Sequence, residues 1–249
     1  MYLERLLSPK LAVLAAPACF VRRLLHPDLV SFGLMANVAA LARQGLFADI
    51  DVVVDVGANI GQYAYMVHSI LPRVAIHSFE PDPECFRKLE QTFARFSIRG
   101  KCYRLALGER EGTSDFNVYD NSANNSMLVR HDDLSGGGRR VSVACSTLDL
   151  LQNEFTAFKR PMLKLDVQGF ELAVLRGAAT FLERCKYVQL EVSFRHAYHG
   201  SSHVADLFAV MRDKGFRGLE ILDTLRMPKE DGYGLREADL LFLNEALSG

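Results

Sequence analysis

The sequence predicts an α/β domain built on a mostly parallel sheet covered on both faces, and three observations carry that expectation. From residue 51 onward, apolar strand-length runs alternate with amphipathic helix-length segments, the order expected when a helix makes each crossover. The runs Val52 to Val56, Val74 to Phe79, Lys101 to Leu107, Met162 to Asp166 and Tyr187 to Val192 read as five such strands. Two more, Phe216 to Leu222 and Leu240 to Asn244, are joined only by the turn-rich stretch Met227 to Tyr233, and without a crossover helix they are expected to pair antiparallel.

The helices follow from caps and periodicity. Asp82-Pro83 makes an N-cap and first turn, after which Phe86, Leu89, Phe93 and Phe96 fall on one face. Val204, Leu207, Phe208 and Met211 repeat the pattern before Gly215 ends the segment. Between the third and fourth strands lies an insertion, in which Ser114 to Tyr119 and Val141 to Cys145 alternate as strands around a polar loop from Asp120 to Gly138. Residues 1–48 read as an N-terminal helical extension and 49–249 as the main domain. In the extension, Leu3, Leu7, Leu11, Leu14, Ala18, Val21 and Leu25 form one stripe, and a second helix is expected from His26-Pro27-Asp28 to Gly45 with Leu34, Val38 and Leu41 inward. That stripe can lie on a membrane surface, with Arg5, Lys10, Arg22 and Arg23 toward anionic lipid, or pack on the domain or in a homodimer. Packing is favoured, because alanine is common on the stripe and no Trp anchors it. A secretory signal is disfavoured by Pro17 and Arg22-Arg23, which interrupt the apolar run early.

Composition narrows the function classes. With 249 residues, 49% of them hydrophobic, the chain can bury one full core. Its 29 basic against 30 acidic side chains create no broad cationic field, so no nucleic-acid partner is expected. The five cysteines are odd in number and widely spaced, with no Cys-x-x-Cys pair, as buried thiols of a cytoplasmic protein would be.

The most informative stretch is Asp55-Val-Gly-Ala-Asn-Ile-Gly61. A strand that turns through Gly57 and Gly61 into a helix brings backbone close to a ligand at the carboxyl edge of an open sheet. Glu80, ending the next strand 19 residues after Gly61, supplies a carboxylate for the two hydroxyls of a ribose. A dinucleotide fingerprint would need its second glycine where Asn59 stands, and Asp55 would repel a phosphate. S-adenosylmethionine answers both objections: it carries a ribose and adenine, no phosphate, and a cationic ammonium and sulfonium. A dinucleotide-dependent oxidoreductase and a non-catalytic cofactor-binding subunit stand as the alternatives.

Leu163-Lys-Leu-Asp-Val-Gln-Gly-Phe-Glu-Leu-Ala-Val-Leu-Arg-Gly-Ala178, taken with Val54 to Gly61, Phe79-Glu-Pro81, Ala106-Leu-Gly108 and Thr147-Leu-Asp149, resembles the FkbM family of S-adenosylmethionine-dependent methyltransferases over about residues 50 to 220. The resemblance implies the class I methyltransferase fold, a Rossmann-like three-layer sandwich whose seven-stranded sheet ends in an antiparallel strand. It also implies O-methylation, often of sugar or glycan hydroxyls, hence a small-molecule or saccharide acceptor. One departure is Gln168, where the family usually has Glu.

The expected cofactor set is Asp55, Val56, Gly57, Ala58, Asn59, Gly61, Gln62, Tyr63, Glu80, Pro81, Asp82, Ala106, Leu107 and Asp166; within it Asp55 and the Gly57 to Gly61 loop hold the methionine moiety and Glu80 the ribose, and Leu105 to Leu107 line the adenine unless they are core. Asp166 can orient the cofactor's ammonium, accept a proton or ligate a metal. Methyl transfer needs an aligned oxygen and a proton acceptor. His196 is the first choice of base because a neutral imidazole takes a proton at neutral pH, with Glu191 and His199 on the same sheet edge. Asp166 and Glu191 with one more ligand can also form an oxygen-rich Mg²⁺ site. Asn124, Asn125 and Ser126 can hydrogen-bond a polyhydroxylated acceptor or simply make a turn.

Overall fold

The computed structural model describes residues 31–131, 138–195, 197–227 and 234–248. In chain order the elements are α1 (Phe32–Arg43), β1 (Val52–Val56), α2 (Gln62–Ile70), β2 (Ala75–Phe79), α3 (Pro83–Phe96), β3 (Gly100–Tyr103), β4 (Ala106–Leu107), β5 (Gly112–Val118), β6 (Arg139–Ser146), β7 (Pro161–Leu165), α4 (Glu171–Arg176), β8 (Tyr187–Ser193), α5 (Val204–Asp213), β9 (Phe216–Arg226) and β10 (Leu235–Asn244). Seven strands form one sheet in the order β3-β2-β1-β7-β8-β10-β9. β10 runs antiparallel to both of its neighbours, whereas β2, β1, β7 and β8 pair in parallel.

The three layers follow from alternation along buried strands. Every residue of β1 is buried. Val53 packs into a core with Leu34, Met35 and Val38 of α1, Met66 of α2 and Leu89 and Phe93 of α3. Its neighbours Val54 and Val56 point the other way, into a core with Leu175 of α4, Leu207 and Met211 of α5 and Phe181. Because helices cover both faces, β1 reads as a near-continuous apolar run, broken at Asp55, rather than as an alternating one. Each fully buried valine contributes about 1.5 kcal/mol or more.

Four expectations change. The strand predicted over Lys101 to Leu107 is two elements: β3 ends at Tyr103 in the main sheet, and β4 pairs instead with β6. β4, β6 and β5 make a separate three-stranded sheet around Ala106, Phe116 and Val143, so the insertion is rooted in the end of the third strand. The helix expected from His26 begins at Phe32, where the Leu34 N–H donates to the Ser31 side chain as a cap; residues 26–30 lie outside the described residues. Asn37 of α1 donates through Nδ2 to the Leu222 carbonyl of β9 at 2.6 Å, which joins this helix to the far edge of the sheet. Phe208, expected inward, is 44% exposed, because Leu207 and Met211 fill the buried stripe of α5.

The leucine stripe of residues 3–25 and Cys19 lie outside the described residues. Cys85, Cys102, Cys145 and Cys185 are free thiols, and no helix among the described residues is long and apolar enough to cross a membrane.

Candidate active site

A cavity of about 600 Å³ opens at the carboxyl ends of β1, β2, β7 and β8, with the start of β10 closing one side. This is the crevice where open α/β sheets bind ligands. Three sets of residues build its wall.

The first set comes from the tips of β1 and β2. Gly57 has φ +76°, and a Cβ there would lie 1.8 Å from the Asp166 carbonyl oxygen, so glycine is demanded by the approach of the β7 tip. The N–H groups of Gly57 and Ala58 both donate to the Phe79 carbonyl, at 3.1 and 3.0 Å, and that of Gly61 to Ala58. Asn59, itself in left-handed backbone at φ 49°, donates its N–H to Glu80 Oε2 at 2.8 Å. The other carboxylate oxygen, Oε1, accepts the Asp82 N–H at 2.9 Å. Burial pushes the Glu80 carboxyl up to about 7, against the pull of those two backbone donors. Asp82 spends its own carboxylate capping α3, where Oδ2 accepts the Cys85 N–H at 3.0 Å.

The second set comes from β7, β8 and β10. Lys164 is 4% exposed. Its Nζ lies 3.2 Å from Asp55 Oδ1 and 3.5 Å from Asp166 Oδ2, and donates to the Gly57 carbonyl at 3.2 Å. Burial opposes its charge, but Asp55 and Asp166 prevail and hold the ammonium above its ordinary pKa. Gln168 donates through Nε2 to Asp166 Oδ1 and to Glu191 Oε2, both at 2.9 Å. The Glu191 carboxyl is raised well above its ordinary value, first by desolvation and then by Asp166, Glu237 and Asp239. Asp239 is pushed up to about 6 by burial and by Asp166, although it accepts a hydrogen bond from Gln189 Nε2 at 2.9 Å. Gln189 in turn accepts from the Tyr63 hydroxyl at 2.7 Å.

The insertion supplies a lid-like third wall. Phe116 lines the cavity beside Leu105, Ala106 and Leu107. The 3₁₀ turn Ser122–Asn124 lies over the glycine loop, with Ser122 Oγ donating to Asn59 Oδ1 at 3.1 Å. The Tyr198 hydroxyl lies 2.9 Å from the Asn124 carbonyl and 3.2 Å from Gln168 Oε1, so this turn, the loop after β7 and the loop after β8 meet at one point.

Of the residues expected at the site, Val56, Gly57, Ala58, Asn59, Gln62, Tyr63, Glu80, Pro81, Ala106, Leu107, Asp166 and Glu191 line the cavity, as do Asn124 and Asn125. Asp55 does not: it is fully buried behind the glycine loop, paired with Lys164 and accepting from Ser78 Oγ at 3.0 Å. Gly61 does not either, since a Cβ there would meet Leu89 and Thr92 at 3.0 Å, which makes it a packing glycine between α2 and α3. Asp82 is turned into its cap, and Ser126 donates to the Gln168 carbonyl at 2.9 Å. His199 lies off the cavity with its ring 3.9 Å from that of His131, and His196 lies outside the described residues. Among the described residues, no three His, Cys, Asp or Glu side chains gather as a metal set.

Lys164, Gln189, Glu237 and Asp239 also line the cavity and were missed. A signal existed for one of them: Lys164 interrupts an otherwise apolar buried strand, which is costly unless it is paired.

Residues 55–217 match the methyltransferase FkbM domain. The chain is 28% identical over 193 residues to methyltransferase sdnD of Sordaria araneosa, covering 66% of this chain and 73% of that protein. It is 24% identical over 192 residues to the 31-O-demethyl-FK506 methyltransferase FkbM of Streptomyces tacrolimicus, covering 67% and 72% respectively. To the 2-O-methyltransferase NoeI of Sinorhizobium fredii it is 25% identical over 165 residues, covering 60% and 66%. With a glycine loop and a buried carboxylate at adjoining strand tips, and the family match spanning both, the chain belongs to the FkbM family of S-adenosylmethionine-dependent methyltransferases.

Proposed function

We propose that the protein methylates a hydroxyl group of a sugar, glycan or related small molecule. The observation that carries this reading is the carboxyl pair Asp166 and Glu191, held side by side by one amide at the end of the cavity. One relative is named a 2-O-methyltransferase and another a 31-O-demethyl-FK506 methyltransferase, which agrees with it.

The cavity suits a phosphate-free cationic cofactor. The N–H groups of Gly57, Ala58, Asn59 and Gly61 are all engaged within the protein, so they form no phosphate cradle. The cations Lys164 and Arg236 are both engaged with carboxylates, and the other titratable groups of the wall, Glu80, Asp166, Glu191, Glu237 and Asp239, are all acids. A pyrophosphate would be repelled there, which counts against an oxidoreductase. When bound, S-adenosylmethionine supplies an electrophilic methyl carbon on a cationic sulfur.

Each residue then has a definite task. Glu80 keeps a free lone pair on each oxygen beyond its two backbone donors, enough to accept both ribose hydroxyls. Leu105, Leu107 and Phe116 make the apolar slot for the adenine. Asp166 holds the cofactor's ammonium. Glu191, a stronger base in its ionised form because burial and neighbouring acids raise its carboxyl, takes the proton of the attacking hydroxyl. His196 is the other candidate for that proton.

The test is transfer of a radiolabelled methyl group to a panel of saccharides, polyols, amines and carboxylic acids, with the product's linkage determined. An alkali-stable methyl ether is the expected product. Transfer to nitrogen or to a carboxylate would overturn the hydroxyl assignment. Glu191→Gln and His196→Ala, assayed separately, decide which group accepts the proton.

A further inference from the structure

We propose that Lys164 is a positioning residue for the methyl donor: a buried ammonium that locks the β1 and β7 tips together and holds the Asp166 carboxylate in place at an acidic cavity. The inference rests on the reading that the donor binds there with its ammonium on Asp166.

The geometry is that of a clamp. Three oxygens surround Lys164 Nζ: Asp55 Oδ1 on β1 at 3.2 Å, the Gly57 carbonyl at 3.2 Å and Asp166 Oδ2 at 3.5 Å. The Tyr63 ring of α2 completes the shell, its centroid 5.2 Å from Nζ. Lys164 pairs with Asp55 in the β1–β7 register, so the contact joins the strand before the glycine loop to the strand before Asp166. The two tips already touch, since a Cβ on Gly57 would strike the Asp166 carbonyl.

Charge explains why a cation is needed. Asp166 shares its surroundings with Glu191 of β8, Glu171 of α4, and Glu237 and Asp239 of β10, while Asp55 lies behind it. Gln168 donates a hydrogen bond to Asp166 but no charge. Among the described residues, Lys164 is the one cation within ion-pair distance of Asp166. Without it, no opposite charge holds the Asp166 carboxylate in place against those acids, and its aim at an ammonium is lost.

Removing Lys164 alone strands Asp55 as a buried charge and can unfold the chain. The informative variant therefore removes the pair, Lys164→Met with Asp55→Asn, and its fold is checked by circular dichroism and thermal melting. The measurement is the Kd for S-adenosylmethionine by calorimetry, in parallel with the wild type and at one pH. 5′-Methylthioadenosine, which carries the ribose and adenine but no ammonium, is titrated beside it, so a selective loss reports on the aim of Asp166. In the pair variant the Kd for S-adenosylmethionine should rise by about tenfold while that for methylthioadenosine stays within a few-fold of the wild type. A folded pair variant that keeps wild-type affinity for S-adenosylmethionine, or that loses both ligands equally, overturns the clamp and leaves the cavity assignment standing. If the pair variant does not fold, Lys164→Arg replaces it, and the same selective loss is expected because a planar, longer cation does not match the three-oxygen shell; unchanged affinity for both ligands overturns the clamp. A wild type that fails to bind S-adenosylmethionine would overturn the cavity assignment, and the clamp with it.

Discussion

The two halves of the cavity wall are built by different means. On the β1–β2 side the shape comes from backbone: three residues at positive φ or tight packing, N–H groups closed on local carbonyls, and one carboxylate held by two N–H donors. On the β7–β8–β10 side it comes from side chains that reach across the sheet, with Lys164, Gln168 and Gln189 linking four carboxylates from separate strands. Backbone shape is rigid and recognises what a cofactor always carries. A side-chain network has its charge set by its neighbours, and so it is suited to moving a proton and to distinguishing acceptors.

Substitutions can break this contrast, beginning with the largest expected effect. Glu191→Gln should lower kcat by about a hundredfold or more while leaving S-adenosylmethionine affinity within a few-fold, because general-base assistance is lost and the cofactor half is untouched. An equal loss of affinity would show that the halves are not separable. Gly57→Ala should destabilise the fold by at least about 2 kcal/mol, seen as a lower midpoint in denaturant, because a positive φ and a clash with backbone must both be absorbed. If stability is retained, the β1 and β7 tips are less tightly apposed than described.

Smaller effects sharpen the comparison. Glu80→Ala should weaken S-adenosylmethionine binding by about 1–3 kcal/mol, read by calorimetry, with kcat changed little once the cofactor is saturating. Tyr198→Phe removes the hydroxyl shared between Asn124 and Gln168 and should cost about 1 kcal/mol, felt as a higher KM for the acceptor rather than for the cofactor. Last is pH. Glu80 and Glu171 sit at about 7 and Asp239 at about 6, all raised by burial. The folded state thus holds protons that the unfolded chain releases, so their stabilising contribution is complete below about pH 4 and is lost as pH rises through 6 to 7. The unliganded protein should melt higher at pH 6 than at pH 8, by a few degrees in a calorimetric scan; the reverse order would mean that other groups dominate.

Legibility divided along the same line. Asp55 to Gly61 and Glu80 stand out because glycines, a strand end and an acid at a fixed spacing are local features of the chain. Even there, the sequence does not say that Asp55 faces inward and Gly61 faces α3, since both depend on what packs behind the loop. Lys164 and Asp239 were passed over because each has meaning only through partners far along the chain: Asp55 lies 109 residues before Lys164, and Gln189 lies 50 residues before Asp239. The break at Arg104-Leu105 was hidden for the same reason, since β4 is a strand only because β6 arrives beside it.

The sequence by itself determined the layered α/β architecture, the antiparallel ending and the location of the glycine loop, because apolar periodicity and turn chemistry are properties of neighbouring residues. Tertiary structure alone decided which acids face the cavity, which are neutralised and where the insertion closes over them. Those outcomes depend on distances between residues that the chain keeps far apart, and electrostatic energy in a buried site is governed by such distances rather than by order along the chain.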